Sequence, residues 1–143
     1  MRNLTDGRKL ALLPELTITT AVNATAGTVF SGLAGIKYLI VYAKMKVGTG
    51  GSSIKAYVQT SLDGGATWID IMSFAFANTA GTKVSAVSMA VALAAATVAS
   101  DGALTDDTIV NGLLGDRIRV KYVTTGTYSG GTSLTVSAVA KGA

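Results

Sequence analysis

Apolar and polar residues alternate along most of this chain, as they do in β-strands that bury one face. The longest such run is residues 37–47, KYLIVYAKMKV, where every second residue from Leu39 to Val47 would face the core. Shorter alternating runs, separated by glycine-rich or polar turns, lie at residues 16–24, 28–33, 55–62, 68–76, 116–124 and 132–140. The pattern predicts an all-β protein, an antiparallel β-sandwich or jelly roll of about eight strands.

Residues 1–15 depart from this alternation. They contain the sole proline, Pro14, together with Arg2, Arg8 and Lys9, and they show no sustained hydrophobic period. We therefore expect an N-terminal arm over residues 1–15, either frayed or ordered against a neighbouring subunit. A single sandwich domain would follow over residues 16–143, since a chain of 143 residues is the length of one domain.

Residues 84–99 are ambiguous between strand and helix. The larger apolar residues alternate with small ones as in a strand, although the alanine content and some valine spacings would also suit a helix. The β-branched residues and the surrounding strands favour a strand. The segment is too short and too interrupted by serine and threonine to cross a membrane. Residues 100–114 are polar and predict a loop with at most one helical turn.

The strongest turn signal is Asp63-Gly64-Gly65, which joins the alternating runs between Lys55 and Phe76. Asp-Gly between such runs predicts a β-hairpin, because glycine adopts the positive φ that the turn needs. The second strand of this hairpin is expected to place four side chains on one face: Trp68, Asp70, Met72 and Phe74.

The tip of the hairpin has Ser61, Asp63, Gly65, Thr67 and Trp68 at the spacing S-x-D-x-G-x-T-W. An Asp63 carboxylate can accept hydrogen bonds from turn amides, and the Ser61 and Thr67 hydroxyls can add local bonds. The motif resembles the Asp box first found in sialidases, which implies a structural role for these positions. A ligand contact is the weaker alternative.

Charged residues make up 14% of the chain, against about 25% in an ordinary soluble domain. A surface so poor in charge suggests that neighbouring subunits cover part of it, so we expect a homo-oligomer. The formal net charge is +4 and the pI is about 9.5, but the basic residues form no long run. No specific nucleic-acid partner is therefore expected.

Cysteine and histidine are both absent, which excludes disulfides, thiol nucleophiles, histidine-based triads and most zinc sites. The eight carboxylates have no recognisable catalytic spacing, so we expect neither an enzyme nor a cofactor. Residues 101–107 could offer oxygen ligands to calcium, but they lack the periodicity of a calcium loop, and a solvated turn is favoured. The first residues lack the apolar core of a signal peptide.

One predicted strand face carries Arg117, Arg119 and Lys121, and Lys44 with Lys46 could extend it if the strands pair. These cations could dock onto an acidic protein surface, or they could protect an edge strand from aggregation, which we favour. The aromatic residues are more often half-buried in sheets than exposed as a sugar-stacking platform. Those concerned are Tyr38, Tyr42, Tyr57, Tyr128 and Trp68.

The succession of a Thr- and Ala-rich first strand, GIKYLIVYAKMKV, VQTSLDGGATWIDI and GDRIRVKYVTTGTYSGGTSLTVSAV resembles small β-sandwich structural proteins of tailed bacteriophages. The resemblance implies a virion protein made in the host cytoplasm, either a capsid decoration protein or another small head or neck component. Its partners would be its own copies and other virion proteins such as the major capsid protein. The alternative is a carbohydrate- or receptor-binding module of a phage tail.

Overall fold

The computed structural model describes residues 8–33, 35–93 and 95–142, which form ten β-strands. Eight of them have five or more residues, and the two shortest, β4 and β9, pair with each other. The strands are β1 Arg8–Thr17, β2 Val22–Ala26, β3 Ile36–Lys46, β4 Thr49–Gly50, β5 Ser53–Ser61, β6 Ile69–Phe76, β7 Gly81–Ser88, β8 Arg117–Thr125, β9 Tyr128–Ser129 and β10 Ser133–Gly142.

Two four-stranded antiparallel sheets make up the body of the protein. Sheet A has the strand order β1-β10-β3-β7, and sheet B has the order β2-β8-β5-β6. The buried residues of both sheets form one hydrophobic cluster between them. The predicted all-β sandwich is confirmed, and so is the predicted β5–β6 hairpin.

The inner face of sheet A follows the predicted alternation. Leu39, Val41, Ala43 and Met45 of β3 are buried, and they meet a similar row from sheet B that includes Val58 and Val120. Burying each large apolar side chain contributes roughly 1.5–3 kcal/mol, so this two-sided core stabilises a sandwich that has no cysteine for disulfides.

The predicted arm is wrong for residues 8–15. They form most of β1, which pairs with β10 and buries Leu10, Leu12 and Leu13. The register with β10 shifts twice along β1, so the strand contains bulges that bury two consecutive leucines. Because of these bulges, apolar and polar residues do not alternate with a period of two along β1. Residues 1–7 lie outside the described residues.

Three other predicted strands have different limits. The first predicted strand, residues 16–24, is split, because β1 ends at Thr17 and β2 begins at Val22. Residues 28–33 contribute one isolated bridge, Phe30 to Ile118. In the ambiguous segment 84–99, the described residues form a strand only up to Ser88, which pairs with Tyr38 of β3. Within the described residues, no helix has the length and apolar character needed to cross a bilayer.

Candidate functional site

The turn after β5 is held by the side chain of Asp63. Its carboxylate accepts hydrogen bonds from the Thr67 amide at 2.8 Å, the Thr67 hydroxyl at 2.6 Å and the Ser61 hydroxyl at 2.9 Å. Ser61 Oγ in turn accepts a bond from the Gly65 amide at 2.8 Å. Gly64 and Gly65 have φ of 72° and 97°, which other residues rarely adopt.

These bonds favour the ionised carboxylate, and they lower the pKa of Asp63 to about 2, with the Thr67 hydroxyl as the largest cause. Trp68 is half-buried beside the turn, and the Arg119 guanidinium lies 4.3 Å from the centre of its ring. Ser61, Asp63, Gly65, Thr67 and Trp68 are therefore brought together in one local structure whose polar groups bond to each other.

A bulge in β6 moves Asp70 to the outside of sheet B. Val58 pairs with Met72, but its neighbour Gln59 pairs with Asp70, so β6 contains one extra residue, Ile71. The expectation that Asp70 shares a face with Met72 and Phe74 is therefore wrong. A one-residue shift reverses the side on which a strand side chain points.

Asp70 fastens residues 100–110, here called the cover segment, to the outside of sheet B. Its buried carboxylate accepts bonds from the amides of Gly102, Ala103 and Leu104 at 2.8–3.1 Å. It also accepts a bond from the Ser100 hydroxyl at 2.8 Å. Backbone bonds extend the attachment along β6, because the Asp70 amide donates to Ser100 and the Ser73 amide donates to Thr108.

The predicted docking cations of β8 lie beneath this cover. The Arg119 and Lys121 side chains are only 17% and 16% exposed. Lys121 Nζ lies 2.8 Å from an Asp101 oxygen, and Arg119 Nε donates to Gln59 at 2.8 Å. The Lys121 hydrogen bond lowers the pKa of Asp101, although partial burial opposes it. Burial lowers the pKa of Arg119. These cations are neutralised within the fold and present no open docking row.

Arg117 is also half-buried, and within the described residues its Nε is a buried nitrogen without a hydrogen-bond partner. The alternative role of edge protection is wrong for this row, because β8 lies between β2 and β5. Lys44 and Lys46 do not extend the row either, since β3 belongs to sheet A. Lys46 instead forms an ion pair with Glu15 at 3.3 Å.

The carboxylates of residues 101–107 are directed to three separate cations. Asp101 pairs with Lys121, Asp106 with Lys55 at 2.9 Å, and Asp107 with Lys83 at 2.8 Å. In the described residues, no cluster of three metal-ligating side chains is found. The first two pairs and the Asp70 bonds tie the segment to sheet B, and the third joins it to β7 of sheet A. The segment is therefore a fastened cover where a solvated loop was expected.

The outside of sheet A carries a different set of residues. Tyr38, Ile40 and Val84 are 38%, 39% and 66% exposed on neighbouring strands, and Val139 lies opposite Ile40. Four lysines share this outer face with a single described carboxylate, that of Glu15; the lysines are Lys9, Lys44, Lys46 and Lys141. We call this surface the open face.

The candidate aromatic platform is dispersed in the structure. Tyr57 and Tyr128 are buried, and Arg119 covers one side of Trp68. Only Tyr38 and Tyr42 lie on the open face, with Ile40 between them on the same strand. The alternation of the sequence predicts outward positions for Ile40, Val123 and Val139, of which Ile40 and Val139 lie on sheet A and Val123 on sheet B. It gives no signal that singles out Val84 or Lys141.

Comparisons of the chain with protein-family models, with curated proteins and with solved structures give no match.

Proposed function

We propose that this chain is a non-enzymatic structural protein of a phage particle, a capsid decoration protein or another small head or neck component. The observation that carries the proposal is the open face, where exposed apolar side chains are surrounded by lysines. Contiguous apolar surface on a small domain marks an interaction site, and the surrounding positive charge suits an acidic protein lattice. The resemblance of its strand sequences to phage virion proteins supports a phage particle as the assembly to which the chain binds.

The docking surface of this proposal differs from the β8 cations that the sequence suggested. Arg119 and Lys121 have carboxylate or amide partners beneath the cover segment, so their contribution is to stability. Lys44 and Lys141 are exposed on sheet A. Exposed charges around an apolar centre influence association rate and specificity more than they influence folding.

The test uses phage particles that lack this gene and purified protein added back to them. The unaltered chain should bind in many copies per particle, as measured by quantitative mass spectrometry and seen as regular density by electron microscopy. Lys44→Glu should lower occupancy severalfold, and added salt should reduce the difference between the variants. Lys55→Glu, which changes charge equally on sheet B, is the matched control and should bind almost normally.

Equal losses for Lys44→Glu and Lys55→Glu would show that net charge, and not the open face, determines attachment. A chain that is absent from wild-type particles and does not bind to deficient ones would overturn the proposal.

The alternative, a carbohydrate-binding module of a tail, needs aromatic rings side by side at the surface. The aromatic positions are mostly buried or covered, and the two on the open face are separated by Ile40. The structural role is therefore better supported than the sugar-binding one.

A further inference from the structure

The two sheets have four edge strands, and three of them carry features that prevent pairing with another chain. β1 contains Pro14 and two register shifts against β10. β2 has five residues and a register shift against β8. The backbone of β6 is bonded to the cover segment. Proline, bulges, short length and covering are the usual protections of natural edge strands.

β7 lacks these features. It pairs with β3 over eight consecutive residues without a register shift, and it contains no proline. Its single charged residue, Lys83, donates to the Ala75 carbonyl and forms an ion pair with Asp107. The strand therefore presents a regular edge with no unpaired charge.

The hydrogen-bonding direction of this edge follows from one bond. Met89 N donates to Lys37 O at 2.8 Å, which makes the neighbouring pair Tyr38–Ser88 a non-hydrogen-bonded pair. By alternation, the amide and carbonyl groups of Thr82, Val84 and Ala86 point away from β3. In the part of the chain that the structure describes, these outward-pointing amides and carbonyls have no backbone hydrogen-bond partner.

Space beside the edge is open. A groove of about 370 Å³ lies next to it, lined by Ser73, Phe74, Lys83, Val84, Ser85 and Asp107. Val84 is 66% exposed on the outer side of the same strand. An added strand would therefore meet unpaired backbone groups and free volume in place of packed atoms.

We propose that β7 pairs antiparallel with β7 of a second copy, about a two-fold axis at Val84, so that two sheets A become one continuous eight-stranded sheet. A two-fold pair must be self-complementary. In this register Val84 faces Val84 of the partner subunit, Thr82 faces the partner's Ala86, and Lys83 faces the partner's Ser85. No like charges are opposed, and the central pair is β-branched, which favours sheet pairing.

The same register joins the two open faces. Within each copy, Val84 pairs with Tyr42 of β3, and Ala86 pairs with Ile40 of β3. Because β7 of one copy lies beside β7 of the other, the exposed apolar residues of both copies become one surface. In an assembly of many copies, a weak edge contact is strengthened because neighbouring copies are held close together. Edge pairing of β7 does not require that the chain belong to a virion.

Single cysteines test the register, because the natural chain has none. In a hydrogen-bonded antiparallel pair the Cα atoms are about 5.5 Å apart, within the range of roughly 4.4–6.8 Å that a disulfide spans. Val84→Cys should therefore form a covalent dimer on mild oxidation or with a short bifunctional maleimide. The matched control is Thr82→Cys, whose two copies would lie more than about 13 Å apart along the strand and should cross-link far less.

Val84→Pro provides the second test. Its missing amide hydrogen and its ring affect the free edge of β7, where proline is tolerated, so sheet A should still fold. Sedimentation up to millimolar concentration should show self-association for the unaltered protein and its loss in Val84→Pro, with unchanged circular dichroism. Ile40→Lys, on the open face but away from the edge, should leave the association unchanged.

Equal cross-linking at positions 82 and 84 would overturn the proposal, as would a monomer at every concentration. Association abolished by Ile40→Lys but not by Val84→Pro would assign the contact to the open face and refute edge pairing.

Discussion

The outer face of sheet B is covered by the protein's own chain, whereas the outer face of sheet A is open to solvent. Under the cover, Tyr57, Gln59 and Asp70 are at most 5% exposed although they point away from the sandwich core. At the equivalent outward positions of sheet A, Tyr38 and Ile40 are 38% and 39% exposed. An outward position in a strand therefore says little about accessibility until the opposite layer is known.

The two faces also treat charge differently. On sheet B, Lys55 and Lys121 each pair with a carboxylate of residues 101–107. On the outer face of sheet A, several lysines share a single described carboxylate, Glu15. With 14% charged residues overall, the chain uses half of its acidic groups to fasten one face: Asp70, Asp101, Asp106 and Asp107. This division leaves the other face positive and apolar.

The largest effect is expected where the cover is fastened. Asp70→Ala removes the acceptor of three backbone amides and of Gln59 in a buried setting, so the free energy of unfolding should fall by roughly 3 kcal/mol or more. Urea denaturation would measure it. The control is Asp106→Ala, which breaks an ion pair that is about half exposed and should cost at most about 1 kcal/mol. Equal losses in the two variants would contradict a special role for Asp70.

Local signals in the sequence predicted the structural features that depend on residues close together in the chain. The β5–β6 hairpin follows from Asp63-Gly64, because a turn of a few residues determines which strands meet. The alternation of β3 predicted its buried face because this strand pairs without bulges along that stretch. The Asp63 bonds to Ser61 and Thr67 span at most four residues and depend on no distant segment.

The structural features that the sequence did not predict depend on residues distant in the chain or on β-bulges. Arg119 and Lys121 looked exposed because their partner Asp101 is 18 to 20 residues away in a segment with no periodic pattern. The bulge at Ile71 reversed the side of Asp70, and the bulges in β1 hid a strand among residues 8–15. Nothing in the local composition distinguishes a bulged strand from an irregular arm.

An intermediate effect on the stability of the cover segment is expected when the pH is lowered. Asp63, with a pKa of about 2, and Asp101, whose pKa is lowered chiefly by Lys121, have folded values below the ordinary 3.8. Groups with depressed pKa contribute stability above their unfolded pKa and lose it as the pH falls through the folded value. The protection factors of the Gly102 and Ala103 amides, which correct for the intrinsic pH dependence of exchange, should therefore fall as the pH drops below about 4, before those of the central β3 amides fall.

Two lysine variants would separate the faces in this acid experiment. Lys121→Met removes the main cause of the low Asp101 pKa, so loss of protection in the cover segment should move to higher pH. Lys46→Met removes the partner of Glu15 on sheet A and should leave cover-segment exchange unchanged. Simultaneous loss of protection in both sheets at one pH would instead indicate global acid unfolding.

The smallest effect on stability is expected on the open face. Ile40→Thr keeps a β-branched residue and replaces an ethyl group that is already partly in water with a hydroxyl, so the free energy of unfolding should change by less than about 1 kcal/mol. Tyr57→Thr, at the equivalent outward position of the central strand β5, removes a ring buried under the cover and should cost roughly 3 kcal/mol. The order should reverse for attachment to deficient particles, because Ile40 contributes exposed apolar surface and Tyr57 contributes none. If Ile40→Thr destabilised the fold as much as Tyr57→Thr, the outer face of sheet A would be a packed layer like its counterpart, and the contrast between the two sheets would fail.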